Sequence, residues 1–470
     1  MFKRAAVLGM AISVSLGSPP PLFAQSTAAP LSELLPTLHR QLIAAEDRLF
    51  GVLTSTEPED IRKARLDTVL HTNNLFAAQL SSFPLGSSAG GFTWTFQPVT
   101  GTFTRTSDSF GPIFTERALT IGRNRLNVGV NYQRVTFDHL DGKKLTGGEL
   151  VGYTGLPLYQ GSEEHPDGVF FKEALDLQLT TDTFSVFATY GVSDRLDVGV
   201  AVPVNRVNLK ATFDSQYGNT VTGVGAPPAG PNDGLSCESY WIGWIQKAAD
   251  LSLYLPPVTP NGCGVRAEAS GTATGIGDVV VRTKYNLLQR HGGGVAAGVD
   301  VRLPTGDEQN LLGIAGAQAE LYLAASTGLG RLSPHVNVGY TVSGASDAAR
   351  APNSVLIAPS DEVNYAGGAD VALSLRTTVA LDVVGRTLRR VGTLEEVPSL
   401  FGLRDSNDER TLFPELRLRP GADLRLLLGS VGVKLNPTAN LLVSANVLFP
   451  LSNRGLTDNL TWLVGFDYSF

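Results

Sequence analysis

The chain has 470 residues, 17% of them charged and 43% apolar, with 51 glycines, 2 cysteines and a formal net charge of −7. Ordinary soluble domains carry roughly 25% charged residues and about 7% glycine, so this chain is poor in charge and rich in glycine. A mean hydropathy of +0.05 excludes a bundle of membrane helices, no stretch past the first twenty residues reaches the roughly 18 apolar residues of a spanning helix, and an acidic balance with no basic cluster argues against nucleic acid as a partner.

Lys3 and Arg4 precede an apolar run from Ala5 to Gly17, and Leu22-Phe23-Ala24-Gln25 follows a proline-rich stretch. A basic start, a short apolar core and a small residue at the cut are the parts of a secretory signal peptide, here 1–24 with cleavage after Ala24. The run is too short for a permanent anchor helix, and no Cys follows it to carry a lipid. Removing Lys3 and Arg4 takes the charge from −7 to −9, so the exported chain is acidic.

Residues 25–115 are expected to form an N-terminal helical, plug-like segment. Leu31, Leu34, Leu35, Leu38, Leu42, Ala45 and Leu49 recur at helical steps, and Pro58 precedes a second run carrying Ile61, Leu66, Val69 and Leu70, which predicts a helical hairpin. No charged residue occurs from Thr72 to Thr104, a stretch that can enter a barrel without burying charge and that ends in the hairpin-like FTWTFQPVTGTFT.

From about Asn124 the hydrophobic period becomes two. Leu126, Val128, Val130 and Tyr132 alternate with Asn127, Gly129, Asn131 and Gln133, and the same alternation recurs along the rest of the chain. Twelve such segments are predicted, at about 124–139, 172–190, 195–213, 273–288, 294–304, 318–329, 333–344, 363–375, 378–391, 421–435, 440–450 and 459–470. Their connections alternate between short turns (GVSD, QRHGG, GRL, RTT, NPTAN) and long loops (141–171, 214–272, 345–362, 392–420). An even number of amphipathic strands with short links at one end and long links at the other describes an all-β, transmembrane, antiparallel up-and-down barrel over 116–470. Such a sheet closes its own hydrogen bonds and crosses a membrane without a long apolar run.

On parity, Asp197, Arg206, Lys210, Asp278, Arg282, Lys284, Asp300, Arg302, Asp370, Asp382, Arg386, Asp423, Arg425 and Asp467 are expected to line the lumen. Both signs are present, which favours pairing inside the barrel over a selective ring of one charge. Cys237 and Cys263 lie in the longest loop of an exported chain, so a disulfide is the default. They bracket a stretch in which Tyr240, Trp241 and Trp244 either offer an aromatic surface to a hydrophobic ligand at the outer mouth or pack on the loop's own core. Two cysteines without a histidine at ligand spacing make a poor metal site. The acidic loop residues Glu163, Glu164 and Asp167 read more simply as a solvated turn than as a cation site. GIGD at 275–278 is followed by a strand pattern, not a helix, which removes it from the dinucleotide loops. No G-x-S-x-G and no serine, histidine and acid on neighbouring strand faces point to a triad, so an outer-membrane hydrolase is disfavoured; neither enzyme activity nor a cofactor is expected.

The chain ends with Trp462, Val464, Phe466, Tyr468 and Phe470 on one face. The set Phe466, Tyr468 and Phe470 resembles the terminal insertion signal read by the barrel assembly machinery. TGIGDVVVRTKYNLL (274–288), GVDVRLPTGDEQNLLG (298–313) and GVSDRLDVGVAVPV (191–204) together resemble the outer-membrane family named for the meta-cleavage pathway of phenol degradation, over roughly 190–470. That resemblance implies a barrel in the Gram-negative outer membrane, contacting lipid and lipopolysaccharide, through which small hydrophobic or aromatic compounds pass without catalysis. The alternative is a non-transporting structural or surface-binding barrel.

Overall fold

In the computed structural model the described residues are 30–50, 59–80, 91–97, 102–162, 165–219, 223–224, 264–290, 292–346, 359–404 and 410–470. The signal peptide, Cys237, Cys263, Tyr240, Trp241, Trp244, Glu163 and Glu164 lie outside them.

Twelve antiparallel strands form one closed barrel among the described residues. They are β1 (Leu126–Phe137), β2 (His165–Gly191), β3 (Leu196–Asn219), β4 (Gly264–Ile276 continuing as Val279–Arg290) and β5 (Gly293–Leu303). They continue as β6 (Gly316–Ser326), β7 (Leu332–Ala345), β8 (Glu362–Ser374), β9 (Thr377–Leu388), β10 (Leu424–Thr438), β11 (Leu441–Pro450) and β12 (Thr461–Ser469). Closure comes from β12 on β1, from Trp462↔Arg134 to Ser469↔Asn127. The barrel is of the outer-membrane type, with its long loops taken as the extracellular end.

The outward positions carry Leu321, Leu323, Val336, Val338, Val342, Leu381, Trp462, Phe466 and Phe470, all exposed. A lipid-facing wall needs such a belt, and the residues between them turn inward. Tyr322 shows why glycine recurs on the inner face: a Cβ at Gly298 would stand 2.2 Å from its ring.

A spanning strand needs about 9–11 residues, whereas β2 has 27 and β3 has 24. These strands therefore project well beyond the membrane. Segments expected as loops contain further sheet: Leu150–Ser162 pairs with the start of β2, and Thr393–Arg404 pairs with Arg410–Arg419. Backbone groups outside the bilayer gain the same pairing as those within it, so the sheet continues past the lipid belt.

Inside the projecting end, polarity inverts. Helix α1 (Leu31–Phe50) and helix α2 (Glu59–Leu80) occupy it. Leu31, Leu34, Leu35, Leu38 and Leu42 of α1 belong to one buried core with Leu177, Leu209, Ala211 and Phe213 from β2 and β3. Burying a leucine contributes about 1.5–3 kcal/mol, so this inner surface of the sheet holds leucine where the membrane-level lumen holds charge. At the opposite end Trp94–Gln97 and Thr102–Arg105 form a hairpin, and residues 106–125 return across the lumen to β1.

Gly277 and Asp278 interrupt β4. Ile276 pairs with Val204 but Val280 pairs with Ala201, so β4 holds one residue more than β3 across the break. Asp278 is buried there and accepts from Gly306 N (3.0 Å) and Ile314 N (2.8 Å), which fastens the loop 304–315 over the bulge.

Candidate functional site: a strapped lumen beneath an apolar cavity

The lumen is crossed by a strap of residues 109–121, and the barrel's inward polar side chains hold it. Asp382 accepts from Ile113 N (3.1 Å), Thr115 Oγ1 (2.7 Å) and His335 Nε2 (2.7 Å). Asp370, on the other side of His335 at 3.3 Å, accepts from Ser109 Oγ. Asp197 accepts from Ile121 N at 3.1 Å. Lys434 Nζ donates to Pro112 O (2.6 Å), and Asn286 Nδ2 donates to Ala118 O (2.6 Å). Asn337 is bonded both ways: it accepts from Glu116 N (2.6 Å) and its amide donates to Glu116 O (2.7 Å). The contacts to Ile113 N, Ile121 N, Pro112 O, Ala118 O, Glu116 N and Glu116 O satisfy strap backbone groups, each of which would cost about 1–3 kcal/mol if buried unpaired. Ile113 and Phe114 add an apolar anchor among Ala380, Leu448 and Leu463.

Of the residues expected in the lumen, Asp197, Asp278, Lys284, Asp370, Asp382 and Asp467 are buried on the inner side and Arg282, Asp300, Arg302 and Arg386 are half-buried there. Asp467 accepts from Asn127 Nδ2 at 3.4 Å. Arg282 pairs with Asp300 (2.7 Å) and Arg386 with Glu362 (3.2 Å). Arg206, Lys210 and Arg425 do not line the lumen. On β3 the inward residues are odd-numbered, as buried Asp197, Val207 and Leu209 show, and exposed Val204 marks the even ones as outward. Arg425 is likewise exposed beside buried Leu424, and Asp423 lies just ahead of β10, paired with Arg389 at 3.4 Å. Above the bilayer an outward side chain meets water, so charge there carries no information about the lumen. His335, Asn337, Asn286, Lys434 and the strap's own Glu116 were missed by the sequence reading, although all four barrel residues sit at inward parity.

Three cavities adjoin this framework. A charged chamber of ≈ 180 Å³ lies beside the strap, where Arg282, Arg302 and Arg386 face Glu116, Asp300, Glu320 and Glu362. An apolar pocket of ≈ 70 Å³ lies at the wall, lined by inward Val135, Phe137, Leu426 and Leu448 and also by Leu427 and Phe449 from the outward parity. It sits at the extracellular end of the β10–β11 pair, whose ladder runs up to Leu428↔Pro450 and is continued by Leu451 N donating to Leu427 O at 2.8 Å.

The largest of these three, ≈ 390 Å³, is at the extracellular end between the helices and the projecting hairpins. Leu150, Tyr153, Leu175, Phe213, Leu394 and Phe401 supply most of its apolar lining. Aromatic contacts brace it: Tyr153 stacks on Phe413 at 5.2 Å and Phe170 lies 5.4 Å from Phe401. Burial, with Glu415 nearby, pushes the Tyr153 hydroxyl up to about 12. On its polar side His39 stands 3.5 Å from Glu173, whose other oxygen accepts from Thr154 Oγ1 at 2.8 Å. An engineered apolar cavity of about 150 Å³ admits benzene, so this one has room for a bicyclic molecule.

No family model matches the chain, and no curated protein matches it. Among solved structures it is similar to an outer-membrane channel from Pseudomonas putida F1, with 12% identity and a TM-score of 0.43 over 75% of this chain and 98% of that one. A FadL homologue from Pseudomonas aeruginosa gives 11% identity and a TM-score of 0.30 over 75% and 90%. The toluene transporter TbuX of Ralstonia pickettii gives 11% and 0.26 over 74% and 90%.

Proposed function

We propose that this chain is an outer-membrane channel for passive passage of small hydrophobic or aromatic compounds. The observation that carries the reading is the apolar ≈ 390 Å³ cavity at the extracellular end, above a lumen whose axis is crossed by a hydrogen-bonded strap. An apolar solute gains by leaving water for that cavity. It gains nothing in the charged chamber, where every charge already has counter-charges around it. The apolar pocket, lined by residues of both wall faces including Leu427 and Phe449, supports an exit at the wall that avoids the strap. Insertion through the Phe466, Tyr468 and Phe470 face by the assembly machinery, and contact with lipopolysaccharide, belong to the same proposal.

The test is uptake into vesicles whose outer leaflet is lipopolysaccharide, with a panel of neutral aromatics, aromatic acids, fatty acids and sugars. Accelerated entry of neutral aromatics is expected. Entry of sugars alone would overturn the reading, and entry of nothing would favour a closed, surface-binding barrel, a state that the strap also fits.

A further inference from the structure

Arg206 was expected inside the barrel and lies outside it, and its surroundings there form a defined surface. On the outer face of β1, β2 and β3, Arg134 pairs in register with Asp182, and Asp182 with Arg206. These three residues make one straight rung. The rung below it on the same face is Tyr132, Phe184 and Val204, all exposed and apolar, the last of the lipid belt on these strands. The rung above is Thr180, Asn208 and Thr272, where Thr272 Oγ1 donates to Asn208 Oδ1 at 2.9 Å. Gln178, Lys210 and Ser270 follow. The chemistry thus changes over three rungs, spaced about 7 Å apart, from hydrocarbon to guanidinium to hydroxyl and amide.

Neighbouring strands lie about 4.8 Å apart, so the two arginines start about 10 Å from each other across Asp182. Asp182 is already engaged: Tyr132 Oη donates to it at 2.7 Å and Arg134 stands 3.7 Å away. Arg206 is exposed and has no carboxylate in ion-pair range among the described residues. Cation therefore exceeds anion on this rung of a chain whose net charge is −7. The excess sits at the level where the belt stops and headgroups begin.

We propose that the Arg134–Asp182–Arg206 rung binds a phosphate of a phosphorylated glycolipid in the outer leaflet. Guanidinium forks match phosphate oxygens in a bidentate way. Acyl chains then lie along Tyr132, Phe184 and Val204, and the sugar meets Thr180, Asn208 and Thr272. A phospholipid offers the phosphate but not the hydroxylated ring that the upper rung can bond. This surface, which rests on the lipopolysaccharide contact proposed above and not on the solute, serves anchoring and orientation whatever passes through the barrel.

The test is native mass spectrometry of the full chain in detergent with bisphosphorylated lipid A, its dephosphorylated form and inorganic phosphate. Bisphosphorylated lipid A is expected to bind at least tenfold more tightly than the dephosphorylated form. The double variant Arg134→Gln/Arg206→Gln is expected to lose that preference, while Arg331→Gln at the opposite end keeps it. Arg206→Gln alone, which breaks no ion pair among the described residues, is expected to weaken lipid A binding at least threefold and guards against a folding defect in the double variant. Equal affinity for the two lipids, or an undiminished preference in the double variant, would overturn the proposal. So would inorganic phosphate binding as tightly as lipid A, which would mark an adventitious ion only.

Discussion

Lys284 Nζ donates to Glu116 Oε2 at 3.1 Å, and both side chains are buried, one on the barrel wall and the other on the strap. Arg282 approaches the same carboxylate at 3.6 Å. Glu116→Gln removes the charge that two wall cations share. Taking away one partner of a buried pair costs about 3–5 kcal/mol, enough to unseat a short strap. The variant is expected to show steady ion conductance in planar bilayers where the parent is closed; a variant as closed as the parent would remove the strap's role as a seal.

Steric exclusion tests the same seal without touching charge. A Cβ at Gly432 would stand 2.2 Å from Ile113 Cδ1 and 1.7 Å from Asn446 Oδ1. Gly432→Leu is expected to push Ile113 and its neighbours out of the lumen, making the bond between Thr115 and its chain neighbours newly sensitive to added protease. Resistance equal to the parent's would show that the strap finds another seat.

His71 on α2 gives the extracellular assembly an acid limit. Burial lowers its pKa from 6.5 to about 4, against a smaller opposing effect of a backbone hydrogen bond with Gly392. The folded state holds the neutral ring, so the stabilisation is complete above pH 6.5 and is lost as pH falls from 6.5 towards 4, amounting to about 3 kcal/mol. Helix α2 is expected to loosen over that window. Thermal unfolding midpoints measured from pH 7.5 to 4 should fall more steeply in the parent than in His71→Phe; parallel curves would count against His71 as the titrating group.

The wall pocket makes its own prediction. Leu448 is buried and lines the ≈ 70 Å³ space behind Phe449. Leu448→Trp fills that space at an overpacking cost of about 1–3 kcal/mol, which a barrel tolerates. Uptake of a neutral aromatic is expected to fall about tenfold with the folded fraction unchanged, and unchanged uptake would place the exit elsewhere.

The membrane-level barrel was legible because lipid and lumen impose opposite demands on alternate residues. β12 was expected at 459–470 and runs Thr461–Ser469, and β7 was expected at 333–344 and runs Leu332–Ala345. Legibility failed where the demands reverse. Leu209 and Phe213 face inward onto α1 while Lys210 faces out, so above the bilayer the apolar residue marks the inside and the charged one the water. Nothing local to residues 206–213 announces that change, because it depends on helices from residues 31–80. The stretch expected to enter the barrel is the charge-free 72–104, whereas the strap across the lumen is 109–121 and carries Glu116 and Arg117. Its partners Asn286, Asn337 and Lys434 come from strands 168 to 322 positions away in the chain, a distance over which no local pattern reports.

The extra residue at Gly277–Asp278 makes the chain unusually intolerant of a change in length at this point. Deleting Gly277 would bring β4 into continuous phase with β3, and one side of the break would have to trade faces. If the later half turned over, Arg282 and Lys284 would be delivered to hydrocarbon, at about 2–4 kcal/mol each near the midplane, and Glu116 would lose both cations. If the earlier half turned over, Ala269 and Ala273 would leave the packing beneath α1. A single codon there therefore acts as a phase setting between two halves of one strand, and natural variants of this sequence are expected to differ in residue identity at this site far more readily than in residue count.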